Sequence, residues 1–280
     1  MNEGDRTPAA DQGSRNLVTR IVVALVLAPL ALVIAWVGGP LWIGLVVLVT
    51  IGLFAEWLAI VGAVQEMWTV AAGASALAVS GLCLALGRGD DALIVLAIGL
   101  VAIAALAQRE RLWSALGFCY AAAAGLASAL VRLDDAYGFA ALIFVLLVVW
   151  AADSGGYFAG RAIGGPKLWP RVSPKKTWAG AVGGFIGSLV VAAGFAAFGV
   201  GKVVPLLLLG AGLSIASQLG DLFESAVKRR FGVKDSSQLI PGHGGLLDRL
   251  DGFVAAIVMA ALFGFLRGDA HSLGRALVVW

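Results

Sequence analysis

Between Ser225 and Asp251 the sequence reads SAVKRRFGVKDSSQLIPGHGGLLDRLD, a dense polar run in a chain whose other long segments are almost entirely apolar. An apolar stretch feeds into it without a helix breaker, so Asp221, Ser225 and Lys228 fall at i, i+4 and i+7 of one continuing helix and share a face. Glu224 borders that stripe. An acid, a hydroxyl and an ammonium aligned where a membrane helix reaches the interface suit a metal ion and a phosphate. A solvated helix end with an i,i+4 ion pair is the plainer alternative. Further on, PGHGGLLDRLDG combines a proline with glycines that force a tight, backbone-exposed loop across Gly244 and Gly245. The loop opens onto Asp248 and Asp251, one helical turn apart with Arg249 between them. Carboxylates at that spacing beside exposed backbone suit hard divalent cations that also bind phosphate oxygens. His243, set between glycines, is placed either as a general base or simply to bond to backbone.

A second polar block runs from Trp150 to Gly184, WAADSGGYFAGRAIGGPKLWPRVSPKKTWAGAVGG. Asp153 is expected to end an apolar helix there, with Ser154, Gly155 and Gly156 letting the backbone turn sharply and offering amides beside a carboxylate. In the run Ser173-Pro174-Lys175-Lys176-Thr177 two hydroxyls flank two ammonium groups at the start of a long helix, where end charge and free amides favour an anion. A snorkelling basic anchor is the alternative. Gly160 to Lys167 misses the P-loop pattern, because Pro166 stands where lysine is required and no strand precedes it. The absence of H-E-x-x-H, G-x-S-x-G and Cys/His zinc spacing leaves no support for metalloprotease, esterase or zinc chemistry.

The elements that must hold these residues are membrane helices. Hydrophobic residues make up 60% of the 280 positions and charged residues 13%, with a mean hydropathy of +0.95, whereas soluble chains are about a quarter charged. Apolar runs at roughly 19–37, 41–61, 69–87, 92–107, 113–131, 137–152, 178–199, 203–221 and 253–267 predict an all-α, polytopic integral membrane protein with about nine crossings. The shorter runs, 92–107, 137–152 and 253–267, need a thin local bilayer or extension into their flanks. Residues 1–16 read as a flexible tail and 17–280 as one transmembrane catalytic domain. With the tail placed in the cytoplasm, about three quarters of the 20 Lys and Arg residues fall on the cytoplasmic side, which the positive-inside rule favours. The formal charge of +3 therefore reads as orientation and attraction to anionic lipid, not as nucleic-acid binding. Glu56, an acid near the cytoplasmic end of the second run, is a functional candidate as any intramembrane carboxylate is, but its position allows snorkelling and a structural part is the favoured reading. The pairs Asp90–Asp91 and Asp134–Asp135 read as turn formers, His271 as uninvolved, and Cys83 and Cys119 carry no redox or zinc signal.

The pattern S-x-V-K-R-x4-K-D-x-S-x2-I-P-x-H-G-G-L-x-D-R-L-D, Ser225 to Asp251, resembles the signature of the phosphatidate cytidylyltransferases (CDP-diacylglycerol synthases) and departs from it nowhere. The D-S-G-x-Y and S-P-K-K-T-W elements of the second block resemble the same family. What the resemblance implies is transfer of CMP from CTP to phosphatidic acid, giving CDP-diacylglycerol and pyrophosphate, at a site facing the cytoplasm from the inner membrane. It implies Mg2+, with room for a second metal ion, held by Asp221 and Asp248 with Asp251 as a further ligand or partner. Ser225, Lys228 and Lys234 are then phosphate-holding residues, and Ser173, Lys175 and Lys176 hold the triphosphate or the lipid head. Arg249 pairs with Asp251 or phosphate, and Asp153, His243, Gly244 and Gly245 contribute to substrate binding. A homodimer is compatible with this reading. A CTP-dependent polyprenol or phytol kinase, or another lipid cytidylyltransferase, is the nearer alternative, and a transporter the more distant one. A transporter predicts charges scattered near mid-membrane at broken helices, whereas these gather on one side.

Overall fold

The structure, a computed structural model, describes residues 25–237, 244–268 and 272–280. The expected tail at 1–16, His243 and His271 lie outside them. A chain in lipid must satisfy its backbone groups internally, and the apolar runs do so as helices. The described part of the first run is α1 (Leu25–Val37), and eight further helices are long and apolar enough to cross a membrane. These are α2 (Gly39–Ile60), α3 (Met67–Ala85), α4 (Gly89–Leu106), α5 (Arg111–Leu133), α6 (Gly138–Ile163), α7 (Trp178–Ala197), α8 (Val203–Arg230) and α9 (Leu247–Arg267). A short α10 (Leu273–Val278) closes the described chain. The three runs that looked too short are extended by their flanks, as α4, α6 and α9.

Two helices are much longer than the expected runs. At 26 and 28 residues, α6 and α8 reach about 39 and 42 Å at 1.5 Å per residue, beyond the roughly 30 Å of a hydrocarbon core. The turn expected after Asp153 is not made, because α6 continues through Ser154, Gly155 and Gly156 to Ile163. Those glycines serve the crossing with α7 instead. A Cβ on Gly155 would fall 2.7 Å from the Gly183 carbonyl oxygen, and one on Gly180 would fall 2.8 Å from that of Gly156. Small residues that let two backbones touch are the usual adhesive between membrane helices.

Between α6 and α7 the prolines at 166, 170 and 174 exclude helix. The chain forms a two-stranded antiparallel hairpin, β1 (Lys167–Trp169) and β2 (Ser173–Thr177), with Lys167 opposite Thr177 and Trp169 opposite Ser173. This small sheet qualifies the all-α expectation. It also moves Lys175 and Lys176 off the helix start and onto a strand, leaving Thr177 to cap α7 by accepting the Gly180 N–H at 3.1 Å.

One apolar core gathers Phe144, Val148, Leu209, Leu213 and Ile257 from α6, α8 and α9. A second gathers Phe54, Trp57, Phe118 and Leu247 from α2, α5 and α9, with Phe54 and Phe118 edge to face at 5.7 Å. Outward-facing Leu48, Val101 and Leu208 are about 70% exposed, as a surface solvated by lipid tails requires. At the opposite end of α5, buried Arg132 donates to the last carbonyls of α1, at 2.5 Å to Ala35 and 2.9 Å to Trp36. Asp134 is the turn former expected of it, accepting the Ala136 and Tyr137 N–H groups and that of Arg275.

Introducing bulk into the α6–α7 crossing should be felt at once. Gly155→Leu is expected to destabilise by about 1–3 kcal/mol, as overpacking does, and to lower the unfolding temperature in detergent. Gly194→Leu on α7, where a Cβ meets nothing within 4 Å, is the control, and equal melting of the two variants would contradict the crossing.

Candidate active site

The hairpin closes over α6, α7 and α8 to leave a cavity of about 490 Å³. Asp153 on α6, Lys175 and Lys176 on β2, and Asp221 on α8 all line it. The Lys176 ammonium is ion-paired with Asp221, so the arm carrying both lysines is tied to the acidic helix. Tyr157 and Arg161 line the same cavity one and two turns past Asp153, with Arg161 Nη1 donating to the Tyr157 hydroxyl at 2.8 Å.

Beside the cavity, the C-terminal turns of α8 meet the first turn of α9. Lys228 Nζ lies 2.6 Å from Asp248 Oδ1 and 2.7 Å from Glu224 Oε2, in surroundings where all three side chains are largely shielded. The second Asp248 oxygen accepts the Ser236 N–H at 3.0 Å and the Gly245 N–H at 3.2 Å, and lies 3.0 Å from the Ser236 hydroxyl, whose one proton it shares with Glu56. Gly244 takes a φ of +86°, which glycine adopts without penalty, to bring that last N–H into place. Asp251, one turn further along α9, accepts its neighbour's N–H at Gly252 and feels the charges of Asp221, Glu224 and Asp153. Carboxylates from α6, α8 and α9 thus repel one another across a shared centre, and Lys176 and Lys228 supply the opposing charge.

The predicted residues separate into groups. Asp153, Lys175, Lys176 and Asp221 share the cavity, Lys228, Asp248 and Gly245 share the hydrogen-bonded cluster, and Asp251 couples the two. Ser225 Oγ stands 3.5 Å from Asp221 Oδ1, at the outer limit of a hydrogen bond. Ser173 opens β2 without lining the cavity, and Lys234 and Arg249 are exposed outside it. Gln218, Tyr157 and Arg161 line the cavity without having been singled out. The last two escaped because the helix was expected to stop at Asp153, and an i,i+4 pair on a continuing helix was the signal that could have found them. Glu56, 4% exposed, does not snorkel. It is buried and fully hydrogen-bonded, accepting from Ser236, Ser237, Leu246 and Leu247.

The donor set fits magnesium in hardness and charge, since Asp153, Asp221 and Asp251 offer carboxylate oxygens whose mutual repulsion a cation would relieve, and an ammonium already lies against Asp221. Among the described residues no three His, Cys, Asp or Glu side chains form a ready-made cation cage. Asp248 is the most committed of them, with both oxygens engaged by protein donors.

A helical membrane bundle whose hairpin and helices present lysines and carboxylates around a cavity at one end has the makings of a membrane transferase acting on anionic substrates. The chain belongs to the cytidylyltransferase family, which it matches over residues 18–266. It is 45% identical over 255 residues to a phosphatidate cytidylyltransferase of Brucella suis biovar 1 (strain 1330), covering 89% of this chain and 93% of that protein. The phosphatidate cytidylyltransferase of Haemophilus influenzae (strain ATCC 51907 / DSM 11121 / KW20 / Rd) is 49% identical over 138 residues, 47% of this chain and 48% of that one. That of Bacillus subtilis (strain 168) is 45% identical over 126 residues, 44% of this chain and 47% of that one.

The ion cluster makes its own prediction. Lys228→Met leaves Glu224 and Asp248 facing each other in a shielded site, and stability should fall by about 3–5 kcal/mol, the usual consequence of removing one partner from a buried pair. Adding Glu224→Gln to that variant should recover part of the loss in a denaturant titration. No recovery would mean that repulsion between the two acids is not the cause.

Proposed function

We propose that this protein is a phosphatidate cytidylyltransferase, joining CMP from CTP to phosphatidic acid to form CDP-diacylglycerol and pyrophosphate. The observation that carries the reading is the cavity where Lys175 and Lys176 face Asp153 and Asp221, in a chain that is 45% identical to a protein of that name over 89% of its length. Its volume of about 490 Å³ is within the range of small-ligand sites.

The residues account for the chemistry as follows. Phosphatidate brings its own nucleophile, a phosphate oxygen that bonds to the α-phosphorus of CTP while the bond to pyrophosphate breaks, so no serine or cysteine nucleophile is needed. The obstacle is repulsion between two anions. Lys175 and Lys176 bind and orient the triphosphate from the hairpin, and Lys228 sets a third ammonium where the lipid phosphate approaches along α8 and α9. Asp221 and Asp251 would hold magnesium, with Asp248 joining them by giving up its Lys228 contact. Bound there, the ion supplies charge neutralisation of the transferring phosphoryl group. The cavity opens on the cytoplasmic face in this reading, where soluble CTP and laterally diffusing phosphatidate meet in the headgroup layer, and the amino terminus is cytoplasmic as well.

Purified protein given CTP, phosphatidate and magnesium should release pyrophosphate and form CDP-diacylglycerol. Release of CDP would instead identify a kinase, and equal turnover of ATP or GTP would overturn the choice of CTP. Asp221→Asn should reduce the rate by at least about a hundredfold, since charge stabilisation of this kind is usually worth several kcal/mol, and higher magnesium should restore part of it.

Orientation is tested separately. A cysteine at position 171, in the hairpin, should react with a membrane-impermeant thiol reagent only after the membrane is opened. Labelling of intact cells would reverse the topology.

A further inference from the structure

Glu56 lies on α2, one turn from its end, outside the cavity and on a helix to which the transfer chemistry gives no part. Its two oxygens nonetheless accept from four separate donors. Oε1 accepts the Ser237 hydroxyl at 2.5 Å and the Leu246 N–H at 2.8 Å. Oε2 accepts the Ser236 hydroxyl at 2.8 Å and the Leu247 N–H at 2.7 Å. One carboxylate therefore holds both sides of the segment that joins α8 to α9, gripping it at 236–237 and again at 246–247. The Ser236 hydroxyl also contacts Asp248 Oδ2 at 3.0 Å, and Asp248 in turn holds Lys228 at 2.6 Å. The packing around this grip leaves no slack, since a Cβ on Gly245 would stand 2.7 Å from Glu56 Oε2.

We propose that Glu56 is a positioning residue for the transfer reaction, fixing through Ser236 the orientation of Asp248 and hence of Lys228. A carboxylate suits the task because it accepts on both oxygens at once. Glutamine has the same shape but turns one acceptor into a donor, which then confronts a backbone N–H. Because each oxygen serves one residue of 236–237 and one of 246–247, that substitution weakens both grips at once and keeps the volume. It is a loss of register and not of packing: one of the 246 and 247 amides loses its acceptor, and Ser236 no longer sits in a fixed frame beside Asp248.

The kinetic arm rests on the cytidylyltransferase reading, and the exchange arm does not. Glu56→Gln and Ser236→Ala are each compared with the parent for kcat, for KM of CTP, for melting temperature and for hydrogen exchange of the amides at 244–250. Glu56→Gln is expected to cut kcat at least about tenfold with KM changed less than about threefold, the pattern of an interaction that matters in the transition state. Exchange at 246 and 247 should rise while the helical core is unchanged. In the double variant the losses should not multiply, because residues that act as one unit are non-additive. Losses that multiply, or a kcat that falls only in step with melting temperature and with exchange throughout the core, would overturn the proposal. Unchanged exchange at 246 and 247 would overturn it as well. If the parent itself lacks cytidylyl transfer, the functional reading fails, and exchange at 246 and 247 still decides whether Glu56 anchors the loop.

Discussion

Lys228 carries one positive charge and answers two carboxylates, Glu224 on its own helix and Asp248 on the next. In shielded surroundings an acid left without a partner is costly, so the ammonium fixes how closely α8 and α9 can approach and at what rotation. The rest of the polar end follows from that registration. Asp248 points away from water and toward the Ser236 and Gly245 amides, and Asp251 is left facing Asp153 and Asp221 across the bundle.

On the other side of the centre the constraint is backbone contact. The glycine-lined crossing lets α6 and α7 approach without intervening side chains and so sets where the two ends of the hairpin that joins them are anchored. Lys176 on β2 reaches Asp221 because this connection is short and stiffened by prolines. A longer, looser linker with the same charges would hold the ammonium groups in many places, with a corresponding loss of preorganisation for a triphosphate.

Much of this was legible from residue order. The nine apolar runs, the continuity of α8 through Asp221 and Lys228, and the spacing of Asp248 and Asp251 on α9 are local features, set by hydropathy and helical period. The α6 boundary was misplaced because Ser-Gly-Gly reads as a turn in water, whereas in a membrane bundle the same glycines are contact surfaces, and only the partner helix distinguishes the two. The hairpin was missed because the three-residue and five-residue strands are too short to show a period-2 pattern, although the prolines at 166, 170 and 174 argue against helix. Ser236 stands at a position that the Ser225–Asp251 pattern leaves open, and its partner Glu56 is 180 residues away in sequence. No local signal can reveal a contact of that range. A solitary acid in an apolar run announces a need for partners without naming them.

That sequence distance bears on how the protein is made. Synthesis and membrane insertion run from the amino terminus, so the Glu56 side chain enters the bilayer region with α2 long before the ribosome reaches Ser236 and Leu247. Until α8 and α9 arrive, it must be served by water or headgroups, and only the last part of the chain can take over all four of its hydrogen bonds. Closure of the bundle around this carboxylate is therefore a late event in biogenesis. A chain interrupted before α9 keeps an intramembrane acid that lacks its native partners, and it is this chemical difference that a membrane quality-control protease could read as incompleteness.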